Sequence, residues 1–480
     1  MKEYTQRALD TATARGASYA DVRVVRREVQ SVSVKNGKVE ALTHEETMGL
    51  GVRVLAGGSW GFAATAILTP ADIDRTAALA VSLAQASATV QRKRVALGDP
   101  FCVVASYKTP VQVDPFAVSL GDKISLLLAA SETMQKVHGI VVAHADVEIQ
   151  REIKVFASTE GSYIEQELVE TGCGIGATAV GEEEVQNRSY PNSVGRHQGA
   201  EGWEFVTRWD LAGNAQRVAE EAAALLTAKP CPAGTTTIIL DGSQMGLQIH
   251  ESCGHAVELD RVLGTEAAFA GTSFLTPEKL AGFQYGSPVV YLTADATIPG
   301  GLGTFGYDDE GVPGQRSPLV EAGRFTGYLT SRETATGLGL RSNGAMRADG
   351  WGRIPLIRMT NVSLEPGEWT LADLIADTQD GIYMETNRSW SIDDKRLNFQ
   401  FGTEMAYEIK NGKKTTLLKN ATYTGMTPQF WGSCDAICNR DHWVVWGTPN
   451  CGKGQPEQVA HTGHGASPAR FRNVQVGVMK

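Results

Sequence analysis

Cysteine is scarce in this chain, with seven in 480 residues, odd in number and scattered. That excludes the disulfide framework of a small secreted domain and leaves reduced thiols available as ligands. Long hydrophobic runs are missing too: none approaches the roughly 20 apolar residues needed to span a bilayer. Met1-Lys2-Glu3-Tyr4-Thr5-Gln6-Arg7 leads into an amphipathic helical pattern, not the apolar core of a signal peptide. A cytoplasmic protein without a membrane anchor is expected. Basic charge is also short, 44 Lys and Arg against 54 Asp and Glu for a formal net charge of -10, which disfavours direct nucleic-acid binding. Fixed-period repeats and low-complexity tracts are absent.

What is present describes an ordinary globular protein, 42% hydrophobic and 20% charged, and 480 residues are long for one core. The break falls near Ala228-Lys229-Pro230-Cys231-Pro232-Ala233-Gly234, where two prolines and a glycine end a helical pattern and begin a strand. We expect an α+β protein with two domains, residues 1–230 and 231–480. In the first, a helix at about Tyr4 to Arg15 precedes strands that turn at Asn36-Gly37, a strong hairpin signal because both residues tolerate positive φ. Strands continue through Gly49 to Ile67. Thr69-Pro70 reads as cap and first residue of a helix over Ala71 to Ala86, and Ser119 to Val137 reads as another. Strands around Ala145 to Ala157 and Ser162 to Val180 then lead to a helix at about Leu211 to Thr227, giving helices over an antiparallel sheet. The second domain reads as β-rich, barrel-like or a sandwich, and carries one histidine-bearing helix over Met245 to Val257. Its strands include Ile238 to Leu240, Pro288 to Ala294, a hairpin at Asn411-Gly412 and a closing strand over Arg470 to Met479.

The sharpest chemical signal is His250-Glu251-Ser252-Cys253-Gly254-His255. Two imidazoles suit a divalent metal, and the carboxylate between them suits the proton of an activated water. The familiar spacing places such histidines four apart; here they are five apart. Five residues at 3.6 per turn leave the side chains roughly 140° apart, so both reach one ion only if the turn is widened by a residue, as in a π-bulge. Gly254, without a Cβ, makes that distortion cheaper.

A metal needs a further ligand. Cys451 in Pro449-Asn450-Cys451-Gly452-Lys453-Gly454-Gln455 is one choice, its glycines letting the backbone turn and present the thiolate. Cys434, Cys438 and His442, spaced four and four, are another, though Trp443-Val444-Val445-Trp446 looks like a strand and buried thiols fit better there. Cys253 reads as core packing ahead of a nucleophile. Glu258 and Asp260 read either as carboxylates that orient a metal-binding imidazole or as an exposed acidic helix end. His461 and His464 read either as contacts to substrate or metal or as members of a solvated glycine-rich loop. Tyr307-Asp308-Asp309-Glu310-Gly311 reads as a solvated acidic loop, with a peptide amino terminus or a second cation as the functional alternative.

Together these stretches resemble the TldD/PmbA family of metalloproteases, in its metal-bearing TldD branch. The match lies in His250 to His255 with Glu258 and Asp260, in Gly306-Tyr307-Asp308-Asp309-Glu310-Gly311-Val312-Pro313, and in Cys451-Gly452-Lys453-Gly454-Gln455. Asn343-Gly344, Arg358-Met359-Thr360-Asn361 and Gly367 extend it. The resemblance implies a two-domain α+β enzyme in which His250, His255 and Cys451 hold one metal, taken as zinc, and Glu251 serves as general base and later proton donor. It implies dimers, either of this chain or with a PmbA/TldE-like subunit lacking the motif, and cleavage of unstructured peptides admitted to an enclosed site. It also carries the alternatives of a non-catalytic peptide-binding subunit and of a gyrase modulator.

Overall fold

A computed structural model describes residues 1–193 and 197–477. The chain is α+β, as expected. Residues 19–199 supply one eight-stranded sheet whose central path runs Ser59–Thr65, Lys38–Ala56, Tyr19–Lys35, Ile140–Ser158, Tyr163–Val180, Val104–Lys108. All its pairings are antiparallel except that of the edge strand Val104–Lys108, which lies parallel to Tyr163–Val180 and which the sequence reading passed over. Asn36 and Gly37 turn the first hairpin with φ of 51° and 69°, the positive values such a turn requires.

Period-two alternation explains how this sheet is used. Val22, Val24, Val32 and Val34 point to one face, where the helices Lys2–Ala14 and Pro70–Ala88 cover one end and Leu120–Gln135 and Leu211–Thr227 the other. Two of these helices begin as the sequence indicates: Thr69 and Ser119 accept the backbone N–H of Asp72 and Asp122. The intervening Asp21, Arg23 and Arg27 face the second half of the chain. Arg53, register partner of Asp21, bonds it at 2.7 Å and reaches Glu310 at 3.2 Å.

That contact corrects the reading of the acidic stretch. Asp308, Asp309 and Glu310 are buried, not solvated. Asp308 accepts the backbone N–H groups of Glu310, Val312 and Met346, and Asp309 pairs with Lys154 at 2.8 Å. The stretch clamps the two halves together.

In the second half, Asp380–Ile392, Gly234–Leu240, Ala469–Val476, Thr422–Met426 and Asn398–Lys410 pair in that order, and the last pairs back with the first to close a five-stranded barrel. Of the two architectures expected, it is the barrel that forms. The expected closing strand ends at Val476; Met479 lies outside the described residues. A separate six-stranded sheet runs Arg324–Phe325, Arg316–Glu321, Leu292–Asp295, Asn361–Leu364, Gln458–Ala466, Val444–Lys453. Between barrel and sheet lies the helix Gly242–Ile249, in contact with both, so the residues that follow it emerge where the layers meet. Among the described residues no helix is long and apolar enough to cross a membrane.

Candidate metal centre

The strand Gly234–Leu240 ends at Asp241, whose carboxylate accepts the backbone N–H groups of Ser243 and Gln244 and starts the helix. After Ile249 the helix widens: the N–H of His255 reaches the carbonyl of His250, five residues back, and His250–Gly254 form a single π turn before His255–Val257 tighten again. The extra residue swings His255 toward His250, with ring centroids 4.8 Å apart and planes perpendicular. Gly254 matters for a reason beyond the turn itself. Its φ is an ordinary -51°, but a Cβ there would lie 2.1 Å from Sδ of Met359.

Cys451 is not on a tight loop. It sits in the strand Val444–Lys453 opposite Ala460, just after a register shift between Thr448 and Cys451. The thiol comes to 3.6 Å from Nε2 of His255, and the guanidinium of Arg358 donates to the Cys451 carbonyl from behind. One ligand atom from each of His250, His255 and Cys451 fits within 4.8 Å of the others, and all three residues are buried. Among the described residues no second group of three such donors converges. Cys434 and Cys438 are buried at a strand and its end, and His442 accepts the Leu371 N–H. They do not share a helical face.

The remaining ring nitrogens are engaged. His255 Nδ1 lies 3.0 Å from Glu258 Oε2, and His250 Nδ1 lies 2.8 Å from His464 Nε2. Of the two predicted orienting carboxylates, Glu258 contacts an imidazole; Asp260 instead accepts from Lys453 Nζ at 2.7 Å. Buried Lys453 also lies 3.4 Å from Glu258 and donates to the Ile357 carbonyl, so it joins the Cys451 strand to the segment after His255. His464 is buried in the strand Gln458–Ala466, which overturns the solvated-loop reading. His461, on the same strand, turns away to pair with Glu170 at 2.5 Å.

Burial lowers the His250 pKa and takes that of His255 well below the ordinary imidazole value, so both rings stay neutral, as metal ligation requires. Burial raises the Cys451 thiol, but the contact with the His255 ring and the nearby Arg358 cation bring the net value below normal. Burial pushes the Cys253 thiol up to about 12, which removes it as a nucleophile. Two imidazole nitrogens and a soft thiolate sulfur, the rings in hydrogen-bond-fixed orientations, fit a tetrahedral metal that keeps one position for water.

The three donors line a cavity of about 600 Å³ between the two halves of the chain. Glu251, Trp446, Trp390 and Arg396 line it from the second half, Ser31 and His144 from the first. Sequence reasoning missed Arg396, which donates from Nη1 to Glu251 Oε2 at 2.8 Å. No motif spacing signals that contact, since 145 residues separate the pair.

Comparison with known proteins places the chain in a family. Residues 233–478 match the PmbA/TldA metallopeptidase C-terminal domain, residues 113–229 its central domain and residues 20–84 its domain 1. A metalloprotease of Methanocaldococcus jannaschii is 33% identical over 87% of this chain and 89% of its own. A protein of Saccharolobus solfataricus named as a zinc metalloprotease TldD homolog is 23% identical over 93% of this chain and 94% of its own. Among solved structures, a Thermotoga maritima protein described as a candidate modulator of a DNA gyrase superposes with a TM-score of 0.79 at 19% identity, covering 99% of this chain and 100% of that one. TldE from Thermococcus kodakarensis gives 0.77 at 16%, over 98% and 99%. At such identities the structural likeness speaks for the fold alone. The domain matches and the 33% relative go further: this chain belongs to the PmbA/TldA metallopeptidase family, which includes TldD.

Proposed function

We propose that this chain is a zinc-dependent peptidase in which His250, His255 and Cys451 hold the ion and Glu251 is the general base. The observation that carries the reading is the convergence of those three buried donors at the wall of a cavity, with a carboxylate beside them. The zinc named for the Saccharolobus relative supports the choice of metal. An ion bound there supplies Lewis-acid polarisation of a peptide carbonyl and an acidified water.

The chain's own residues do the rest. Glu251 takes the proton of the attacking water and returns it to the leaving amine as the C–N bond breaks. Glu258 and His464 hold the two imidazoles in place. Residues 1–230 close one side of the cavity through Ser31 and His144, so an extended peptide enters and a folded domain does not. Unstructured peptides are therefore the substrate class. A second subunit, another copy or a TldE-like chain, completes the enclosure. The cysteines are all unpaired, in keeping with action in the reducing cytoplasm.

The deciding experiment couples metal analysis of the purified chain to cleavage of an unstructured peptide, with and without chelator, in the wild type and in Glu251→Gln. One equivalent of zinc, chelator-sensitive turnover and a metal-loaded but inactive variant are expected. Turnover by Glu251→Gln would remove the assigned base, and binding without turnover in the wild type would make the chain a non-catalytic subunit.

A further inference from the structure

The geometry points to Arg396 as the donor that holds the oxyanion formed when a peptide carbonyl in this cavity is attacked. This rests on the peptidase reading and supplies a residue for which no sequence motif exists.

Arg396 is the cationic side chain that reaches Glu251, and it is largely buried, with 15% of its side chain exposed at the cavity wall. Nη1 donates to Glu251 Oε2, while Nε is buried and has no acceptor among the described residues. A buried guanidinium N–H without a protein partner is costly, and this one belongs to a side chain that lines the cavity, where a bound carbonyl oxygen can accept from it. Burial and the nearby Arg261 cation work against the Arg396 charge, and Glu251, Glu258 and Cys451 do not fully offset them.

The backbone beneath it is fixed at some cost. Arg396 has φ of 61°, a left-handed conformation that costs a non-glycine residue on the order of 1 kcal/mol. Asp393 holds the turn, its carboxylate accepting the N–H groups of Lys395, Leu397 and Asn398 and its carbonyl accepting that of Arg396. Thr427 closes the other side by donating to the Arg396 carbonyl at 2.8 Å. The side chain is thus presented from a rigid corner of the barrel, and a preorganised donor needs no reorganisation as charge develops.

In the step assigned to it, water oxygen bonds to the carbonyl carbon as Glu251 takes the water proton. The carbonyl π pair moves onto oxygen, and Arg396 N–H groups hold that charge. Collapse restores the C=O bond, breaks C–N and passes the proton from Glu251 to the leaving amine. No further reactant is needed.

The test compares Arg396→Met and Arg396→Lys with the wild type and with Glu251→Gln, all loaded with zinc. Three quantities are read: zinc stoichiometry, the separate kcat and KM for an unstructured peptide, and the calorimetric affinity of a phosphinate peptide that mimics the tetrahedral anion. Expected for Arg396→Met are full zinc occupancy, kcat lower by roughly 10²–10³-fold, KM within about threefold of wild type and phosphinate affinity reduced in step with kcat. Arg396→Lys should recover part of both. Wild-type kcat in a zinc-loaded Arg396→Met, with Glu251→Gln inactive, overturns this inference and leaves the peptidase reading standing. Activity in Glu251→Gln overturns the peptidase reading itself. A rise in KM confined to peptides with a free terminal carboxylate would make Arg396 a substrate anchor instead, and unchanged phosphinate affinity would overturn its oxyanion role. Should Arg396→Met fail to fold, Arg396→Lys carries the same decision through its kcat and phosphinate affinity.

Discussion

Nδ1 of His250 and Nε2 of His464 lie 2.8 Å apart, and the second histidine dictates the tautomer of the first. His464 Nδ1 lies 2.9 Å from the carbonyl of Val362, which can only accept. The proton of neutral His464 is therefore on Nδ1, its Nε2 accepts, and His250 must donate from Nδ1. Nε2 of His250 is left bare, the form in which imidazole binds a metal.

His464→Leu removes that instruction without touching a proposed ligand. Zinc affinity should fall by about 10–100-fold, the usual cost of losing an orienting partner, with the circular dichroism spectrum unchanged. His464→Gln, whose amide oxygen can accept from His250, should lose less. Competition titration against a chromophoric chelator reads both; equal affinities in wild type and His464→Leu would show that the ring needs no orienting.

Much of this centre was legible in the sequence, for local reasons. A five-residue spacing on a helix has few ways to bring two rings together, and Gly254 marked where the widening occurs. The capped helices and both Asn-Gly hairpins were equally local: Asn411 and Gly412 take φ of 49° and 71°. What was not legible depends on tertiary packing. Cys451 looked like a loop residue because Gly452 and Gly454 flank Lys453, yet pairing with Gln458–Ala466 draws it into a strand. Asp308, Asp309 and Glu310 looked solvated because their cationic partners Arg53 and Lys154 come from the far sheet. Arg396 gave no signal because the carboxylate it meets lies 145 positions away, and His464 stood out only as a candidate contact because its partner His250 lies 214 positions away.

Gly254 offers a quantitative check on why glycine is needed. Gly254→Ala drives a methyl against the buried Met359, an overpacking that should cost about 1–3 kcal/mol. Met359→Ala alone should cost about 2–5 kcal/mol through the cavity it leaves. Combined, the two relieve each other, so urea denaturation should give a double variant more stable than the sum predicts by at least about 0.5 kcal/mol. Strict additivity would locate the cost in the π turn.

Lys453 is fully buried between Asp260 and Glu258. Lys453→Met removes the buried cation between buried Glu258, which keeps Arg261 at 3.5 Å, and partly buried Asp260, and breaking such a cluster by removing one partner costs about 3–5 kcal/mol. Because Glu258 also holds His255, the damage should extend to metal binding: a lowered Tm accompanied by weaker zinc retention on dialysis. A variant that loses stability but keeps wild-type zinc affinity would confine Lys453 to a structural part.

Acid stability should report on His197, which lies far along the chain from the proposed ligands and joins the two halves by accepting the Gly447 N–H at Nδ1, 3.1 Å away. Its ring is enclosed by Phe205, Trp209 and Trp446. Burial, with a smaller contribution from Arg208, lowers its pKa from 6.5 to about 3. Between those values the unfolded chain binds a proton that the folded chain refuses. The stability this group contributes is therefore complete above about pH 6.5 and is lost as pH falls toward 3, at up to about 1.4 kcal/mol per pH unit. His197→Asn keeps an acceptor for Gly447 but cannot titrate. Its Tm should start below that of the wild type at pH 7.5, and the gap should narrow steadily down to pH 4.5, since every other titrating group is common to both. Parallel curves over that range would mean that His197 opens to solvent in the folded protein and takes up its proton there.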